Sequence, residues 1–299
     1  MKPFISIVTL NYNQSEVTCA FLESTKKLVY RHFEILVCDM ASRTDPSDLI
    51  LSNNYPNTRL LLSDVNLGFA AGNNWGIKQA KGDLILIVNN DTEVTPHLLD
   101  YLAEPFYQDS SIGVTCPKIK YFDRPSIIEY AGFNRMNMYT GRTSGIGANE
   151  EDKGQYDISR KTFGAHGCAM MVKREVIERV GMFPEKFFLY YEEWDWSARI
   201  MEAEYTIWYA AKAEIFHKQS VTVGKNNPLK VYYQTRNRIL FMRRNSSMGQ
   251  LALFTSFFIF FTIPRALITY FAKREFKSLK YFLKGVIWNL YSSSKSSVR

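Results

Sequence analysis

Apolar residues in the first third of this chain come in short continuous runs separated by stretches of helical spacing. Residues 4–10, 34–38, 59–62 and 84–88 are rich in aliphatic and β-branched side chains and predict buried strands. Behind the first run, Val17, Phe21 and Leu28 keep a helical period, with Ser15 placed to cap the helix. A glycine-rich stretch from Asn66 leads into a helix that Gly82 closes. Thr95-Pro96 opens another, with proline at its first position. Strands alternating with helices through residue 108 predict an α/β fold on a mainly parallel sheet flanked by helices. Ligands of such sheets bind beyond the carboxyl ends of the strands. Thr9 and Asn11, Asp39, and the Asn89-Asn90-Asp91 triplet all fall at strand ends, so three strands are predicted to supply one crevice.

The pattern then loosens. Residues 121–162 are polar and irregular and predict a long mobile connection over the site. Beyond it, Glu192 and Glu193 stand side by side among Tyr190, Tyr191, Trp194 and Trp196. Asp195 and Arg199 are spaced for a salt bridge on one helical face. Near Pro228 the composition changes. Residues 251–263 are apolar apart from Thr255, Ser256 and Thr262, and Pro264-Arg265 then interrupts them. That run falls short of the roughly 20 residues needed to cross a bilayer, so it is expected to enter one leaflet or lie in the interface. A helix over 273–290 would set Lys273, Lys277, Lys280 and Lys284 in one stripe. Phe276, Leu279, Leu283, Val286, Ile287 and Leu290 form a second stripe about 100° around it. Adjacent basic and apolar stripes suit an anionic membrane surface, the competing reading being a helix packed on the body.

Charge sharpens this division. The 299 residues carry a net charge of +8, with 46% hydrophobic and 15% aromatic content, enough for a packed core. From Lys225 onward, fourteen Lys or Arg face one acid, Glu275; the preceding residues hold twenty-three basic against twenty-eight acidic groups. We therefore divide the chain into an α/β catalytic domain, residues 1–225, and a basic, apolar helical appendage, residues 226–299. The basic residues cluster with apolar segments rather than in a nucleic-acid recognition motif, which argues against DNA or RNA as partner. Cys19, Cys38, Cys116 and Cys168 show no paired spacing and read as reduced thiols, Cys38 and Cys168 in the core. The apolar stretch before Asn11 is too short for a signal peptide.

Several residues suggest chemistry. An apolar strand ending in Asp91 suits a divalent cation, and His217 can complete such a site through neutral imidazole. Adjacent carboxylates on a helix point about 100° apart, so only one of Glu192 and Glu193 can face a substrate as general base. The stretch from Asn66 to Asn74 lacks both the dinucleotide fingerprint and the phosphate loop of Walker sites.

SIVTLNYN, the strand ending in Asp39, NLGFAAGNNWGI, LILIVNNDTEV, GCAMMVKREVIERVGMFPEKFFLYYEEWDWSAR and AEIFH occur in order over residues 4–245, followed by RNRILFMRR. Together they resemble the family 2 inverting glycosyltransferases of GT-A fold, in the rhamnosyltransferase-like and galactofuranosyltransferase-like branch. The resemblance implies a Rossmann-like GT-A domain that takes a UDP- or dTDP-linked sugar, with rhamnose a candidate. It makes Asn89-Asn90-Asp91 the DxD-type motif for Mg²⁺ or Mn²⁺, with Asn89 standing where a carboxylate is usual, and it makes His217 the second metal ligand. Glu193 matches the base position, one methylene longer than the usual aspartate. Asp39 matches the residue that reads N3–H of uracil or thymine; Thr9 and Asn11 line the same pocket, and Asn73 approaches the nucleotide. His166, Glu192, Trp194 and Trp196 fall on the acceptor side, and Arg236 and Arg238 are candidates for the pyrophosphate. The expected acceptor is a glycan, lipid-linked, at the cytoplasmic face of the cell membrane. A processive polysaccharide synthase would carry several spanning helices and a QxxRW motif, neither of which is present. A non-catalytic nucleotide-binding tether would need neither Glu193 nor His217.

Overall fold

The computed structural model describes residues 2–218 and 227–296, so the expected boundary at 225/226 lies outside the described residues. Strands β1 (Ile5–Asn11), β2 (Phe33–Met40), β3 (Thr58–Ser63) and β4 (Leu84–Val88) run parallel in the order β3-β2-β1-β4. Their side chains are almost wholly buried in β1, β2 and β4, which is why these strands read as unbroken apolar runs. The sheet continues with β5 (Thr92–Val94), β6 (Ile112–Tyr121), β7 (Ile128–Tyr130), β8 (Arg160–Thr162), β9 (Ala169–Lys173) and β10 (Thr206–His217). Strand β9 enters antiparallel between β4 and β6, β10 returns parallel to β6, and β5 closes the far edge antiparallel to β10. The predicted parallel arrangement thus holds through β4, and the half that carries His217 is mixed.

Helices α1 (Ser15–Thr25), α2 (Ser47–Ser52), α3 (Gly68–Gln79) and α4 (Leu98–Gln108) accompany the parallel strands, α3 packing on β1 and β2 and α4 on β6 and β10. Three predicted caps fall elsewhere. Ser15 is the first helical residue of α1 and caps nothing. Thr95 gives its hydroxyl to the Glu214 carbonyl at 2.8 Å, and α4 begins only at Leu98. Gly82 lies beyond the end of α3, where a Cβ would stand 2.5 Å from the Ser6 nitrogen; the need there is close approach to β1.

Residues 121–162 differ from the expected mobile strap. Isolated bridges Ile127–Glu151, Phe133–Gly145 and Asn137–Arg142 fold them back on themselves. Lys118, only 1% exposed on β6, holds Asp157 at 2.5 Å and Asp152 at 3.2 Å; Lys120 ties Asp152 and Glu214 at 2.8 and 2.9 Å. A buried ammonium is tolerable only with such partners, so the cluster fixes the connection to the sheet.

After α5 (Arg174–Val180) and α6 (Glu192–Glu202) come α7 (Pro228–Asn245), α8 (Met248–Phe257), α9 (Ile263–Ala272) and α10 (Phe276–Tyr291). The predicted Asp195–Arg199 pair forms at 3.1 Å, and Arg244 of α7 joins it at 2.6 Å, locking α7 to α6. Pro264 does not break the apolar segment. A π-helical turn at Phe258–Thr262 precedes it, so Met248–Ala272 is one continuous helix of 25 residues, only 11% buried over its most apolar stretch. The wider turn relieves the clash and the lost N–H that proline brings. Helix α10 folds back, Phe282 facing Phe258 and Tyr270, and Asn289 bonding the Arg236 carbonyl of α7 at 2.9 Å. Of its two predicted stripes, Lys277, Lys280 and Lys284 are exposed beside exposed Phe276, Leu283, Ile287 and Leu290, while Leu279 turns inward.

Candidate active site

The three predicted strand ends meet. Asn11 and Asp39 are register partners across β1 and β2, and Asn11 Nδ2 donates to Asp39 Oδ1 at 2.7 Å. Asp39 also accepts from the Ser42 backbone N–H at 2.9 Å and the Ser42 hydroxyl at 2.6 Å. Thr18 on α1 donates to Asn11 Oδ1 at 2.8 Å and accepts from Asn90 Nδ2 at 2.8 Å. A continuous hydrogen-bond chain therefore runs from the Asn89-Asn90-Asp91 triplet to Asp39. Thr9, fully buried on β1, leaves its hydroxyl oxygen without a partner. Asn73 is buried on α3 and spends its amide on the Phe69 carbonyl at 2.9 Å.

Asp91 and His217 come together from opposite ends of the fold, because β5 pairs with the last residues of β10. Asp91 Oδ1 lies 3.2 Å from His217 Nε2, yet it is a buried oxygen without an aligned hydrogen bond. On the other side of the ring, Glu129 Oε2 meets Nδ1 at 2.8 Å. Burial alone would lower the imidazole pKa, but Cys168, Asp91 and Glu129 outweigh it and raise it. Glu129 fixes the ring and reserves Nε2 for the Asp91 side. Among the described residues no cluster of three or more His, Cys, Asp or Glu is arranged to hold a metal. Two donors about 3 Å apart nevertheless match one edge of an octahedron with bonds of about 2.1 Å, whose other corners diphosphate oxygens and water can fill. The orphaned Asp91 oxygen fits a cation.

Glu193 sits on the same rim. The Asn89 N–H donates to the Cys168 carbonyl at 2.8 Å, and a Cβ on the adjacent Gly167 would stand 3.9 Å from the Glu193 carboxyl carbon. Glu193 lines a cavity of about 230 Å³ with Met136, Arg142, Tyr190, Tyr191 and Trp194. One oxygen of Glu193 and one of Glu192 are buried without partners. Burial pushes the Glu193 carboxyl up to about 7; burial, with Glu193 beside it, pushes Glu192 well above the ordinary carboxylate range. Of the two acids, Glu193 faces the cavity and Glu192, 3% exposed, lies beneath it.

The backbone leading to this pair is strained. Phe188, Tyr190 and Tyr191 have φ of 63°, 68° and 73°, left-handed values that cost non-glycine residues about 1–3 kcal/mol each. Two residues of α7 hold it in place. Asn237 donates to the carbonyls of Phe187, Leu189 and Tyr190 at 2.9, 2.7 and 2.7 Å, and Arg236 to those of Lys186 and Phe187 at 2.8 and 2.6 Å. The Phe188 carbonyl accepts from the Phe69 and Ala70 N–H groups at the start of α3. Gly68 there has φ 75° and would clash with the Phe188 ring if it carried a Cβ.

Four expectations need correction. Trp196 is 1% exposed, donates to the Gly181 carbonyl at 2.7 Å and packs on Phe183, so it belongs to the core. Two residues apart on a helix, Trp194 and Trp196 point about 200° apart, and only Trp194 reaches the cavity. His166 stacks on Phe133, which separates it from Trp194, and its Nδ1 accepts the Cys168 N–H at 3.1 Å; burial lowers its pKa to about 4, leaving it neutral. Glu192 is buried beside Glu193 and does not line the cavity, so it does not face an acceptor there. Arg236 is buried between aromatic rings, and its Nη2 and Nε are spent on those carbonyls and on Asn237 rather than offered to a pyrophosphate. Glu129, Thr18 and Asn237 were missed by sequence reasoning, and Asn90, named only as the middle of the triplet, is the residue that links it to Thr18. A wider recess of about 550 Å³ lies around Arg31, His32 and Arg59, at the amino ends of the strands and away from all these groups.

The sheet that carries the crevice, the triplet and the paired acids has the GT-A glycosyltransferase fold. Residues 6–181, more than half of the chain, match glycosyl transferase family 2, and the protein belongs to that family. It is a glycosyltransferase. It is 24% identical over 247 residues to an N-acetylglucosaminyl-diphospho-decaprenol L-rhamnosyltransferase of Mycobacterium tuberculosis, covering 76% of this chain and 80% of that protein. It is 25% identical over 242 residues to a low-salt glycan biosynthesis hexosyltransferase of Haloferax volcanii, covering 79% and 74%. The fold matches GalNAc-T7, solved with UDP, GalNAc and Mn²⁺, at TM-score 0.65 and 15% identity over 81% of this chain and 48% of that one. It also matches the mannosyltransferase PcManGT of Pyrobaculum calidifontis, solved with GDP-Man and Mn²⁺, at TM-score 0.59 and 15% identity over 97% and 88%.

Proposed function

We propose that the enzyme is an inverting, metal-dependent transferase that moves a sugar from a UDP- or dTDP-linked donor, with rhamnose a candidate, to a hydroxyl of a lipid-linked glycan in cell-envelope polysaccharide synthesis. The observation that carries this reading is a pair of buried carboxylate oxygens without an aligned hydrogen bond among the described residues, Asp91 Oδ1 beside His217 and Glu193 Oε2 in the cavity, on one rim of the crevice. Asp39, with Thr9, Asn11, Asn73 and Asn89 around it, would seat the base and ribose. Asp91 and His217 would hold Mg²⁺ or Mn²⁺, which when bound offsets charge on the departing diphosphate. Glu193 would take the proton from the acceptor hydroxyl as that oxygen attacks the anomeric carbon opposite the nucleotide. Tyr190 and Trp194 would flank the acceptor sugar.

The helix Met248–Ala272 and the exposed stripe of α10 support seating at the cytoplasmic membrane face. At 25 residues the helix is long enough to cross a bilayer. Its return partner α10, however, carries exposed Lys277, Lys280 and Lys284 and is bonded to α7. That arrangement favours a hairpin lying in the plane of one leaflet. Nucleotide release from a panel of UDP-, dTDP- and GDP-sugars with Mn²⁺ tests the reading. Release confined to UDP- or dTDP-sugars and abolished by chelator is expected; no release from any donor with any glycan lipid would refute it.

A further inference from the structure

Arg238 on α7 is 5% exposed, and among the described residues no carboxylate pairs with it. Its Nε donates to the Thr140 carbonyl at 2.6 Å, while its Nη2 is buried without any partner. Two residues beyond Thr140 stands Arg142, exposed on the wall of the Glu193 cavity and in no ion pair among the described residues. The Tyr191 hydroxyl, which donates to the Gly141 carbonyl at 2.9 Å, lies within electrostatic reach of both guanidinium groups and of Glu193. The Arg238 guanidinium lies over Phe254 and Phe258, 5.7 and 5.3 Å from the ring centres, on the inward side of the apolar helix whose other side is exposed. Two like charges beside one turn, one of them desolvated with an unused N–H, are unfavourable unless an anion joins them.

We propose that Arg142 and Arg238 form an anion subsite for the phosphate or diphosphate that links an acceptor sugar to its apolar chain. The order of groups along the protein carries it: carboxylate and aromatic rings at Glu193, then the two guanidinium groups, then the exposed apolar helix from Met248. An acceptor laid along that path presents a sugar hydroxyl, a phosphate and a hydrocarbon chain in the same sequence. Arginine suits this role because its planar fork grips phosphate oxygens in pairs. The proposal rests on Glu193 marking the acceptor side, and it names the acceptor's anionic group, which that reading leaves open.

The test uses full-length protein with saturating Mn²⁺ and UDP or dTDP, so that the donor site is filled, and decyl diphosphate as probe. Calorimetry is expected to show saturable binding to wild type, weakened at least tenfold by Arg142→Glu, with binding of decyl β-glucoside and of nucleotide unchanged. Arg142 is exposed, so the substitution leaves the fold intact; Arg238→Gln should act in the same direction. Absence of wild-type binding, or equal weakening for both probes, overturns the subsite. Flotation with phosphatidylglycerol vesicles separates a headgroup site from an acceptor site. An unchanged vesicle affinity in Arg142→Glu supports the acceptor, and a matching loss assigns the arginines to the lipid surface and overturns the proposal. Failure of every sugar nucleotide to turn over would sink the transferase reading instead.

Discussion

The two walls of the crevice are built differently. On the nucleotide wall, Asn11, Thr18, Ser42, Asp39 and Asn90 satisfy one another, and only the Thr9 hydroxyl is left over. On the wall proposed for catalysis, Glu192 and Glu193 each keep a buried oxygen without a partner among the described residues, each costing about 1–3 kcal/mol. Asp91 keeps one with no aligned hydrogen bond beside His217, and the backbone leading to the two glutamates is strained. The first wall is a pre-organised socket that the parallel strands build without help. The second is unfavourable alone, and the turn that carries its two glutamates is held by α7. Stability and reactivity are thus assigned to different parts of one sheet edge.

The largest effect should come from Glu193→Gln, which keeps the shape of that wall and removes the proposed base. Turnover is expected to fall by about 10²–10⁴-fold with nucleotide affinity unchanged, whereas Glu192→Gln should retain most activity. Equal losses in both variants would erase the distinction between the acid that lines the cavity and the one that does not. Next, Asp91→Ala should abolish the tightening of UDP or dTDP binding by Mn²⁺, read by calorimetry with and without the ion. The loss should at least match the roughly 10–100-fold that removal of an outer-shell metal partner costs. Unchanged Mn²⁺ enhancement would place the ion elsewhere.

The nucleotide wall was legible in the sequence and the catalytic wall only in part, for physical reasons. Strands buried on both faces announce themselves as unbroken apolar runs, so β1, β2 and β4 and the polar groups at their ends could be read directly. Glu129 lies in a three-residue strand inside an irregular connection, where no periodicity marks it as facing His217. Asn237 sits among arginines on a helix that looked like basic surface, and its three carbonyl partners come from a turn fifty residues earlier. Trp196 was misplaced although helix geometry alone sets it opposite Trp194. The interruption at Pro264 was overread, because a π-helical turn has no signature in residue spacing.

Asn237→Ala tests whether the catalytic wall depends on α7. The two side-chain N–H groups of Asn237, shared among three carbonyls of the strained turn at about 0.5–1.5 kcal/mol per hydrogen bond, predict a loss of roughly 1–3 kcal/mol in urea unfolding. Turnover should drop too, because the turn carrying Glu193 is released, while nucleotide affinity stays near wild type. A matching loss of nucleotide affinity would mean that the two walls share one support.

The smallest effect, and the most specific to the catalytic wall, is in pH. Burial raises the Glu193 carboxyl to about 7, above an ordinary value near 4.5. Only the ionised form accepts a proton, so kcat/KM should rise close to tenfold per pH unit below about 7 and level off above it. Stability should move the opposite way. The folded state holds a proton that the unfolded state has released between about pH 4.5 and 7, so this contribution is full below 4.5 and lost as pH rises through about 7. The urea midpoint should therefore fall across the interval in which activity climbs, and Glu193→Gln should flatten Glu193's share of that fall. Asp39, held by Asn11 and Ser42, has no comparable orphaned oxygen, so its replacement by Asn should leave the activity profile's midpoint in place. A midpoint that follows Asp39 rather than Glu193 would put the titrating group on the wrong wall.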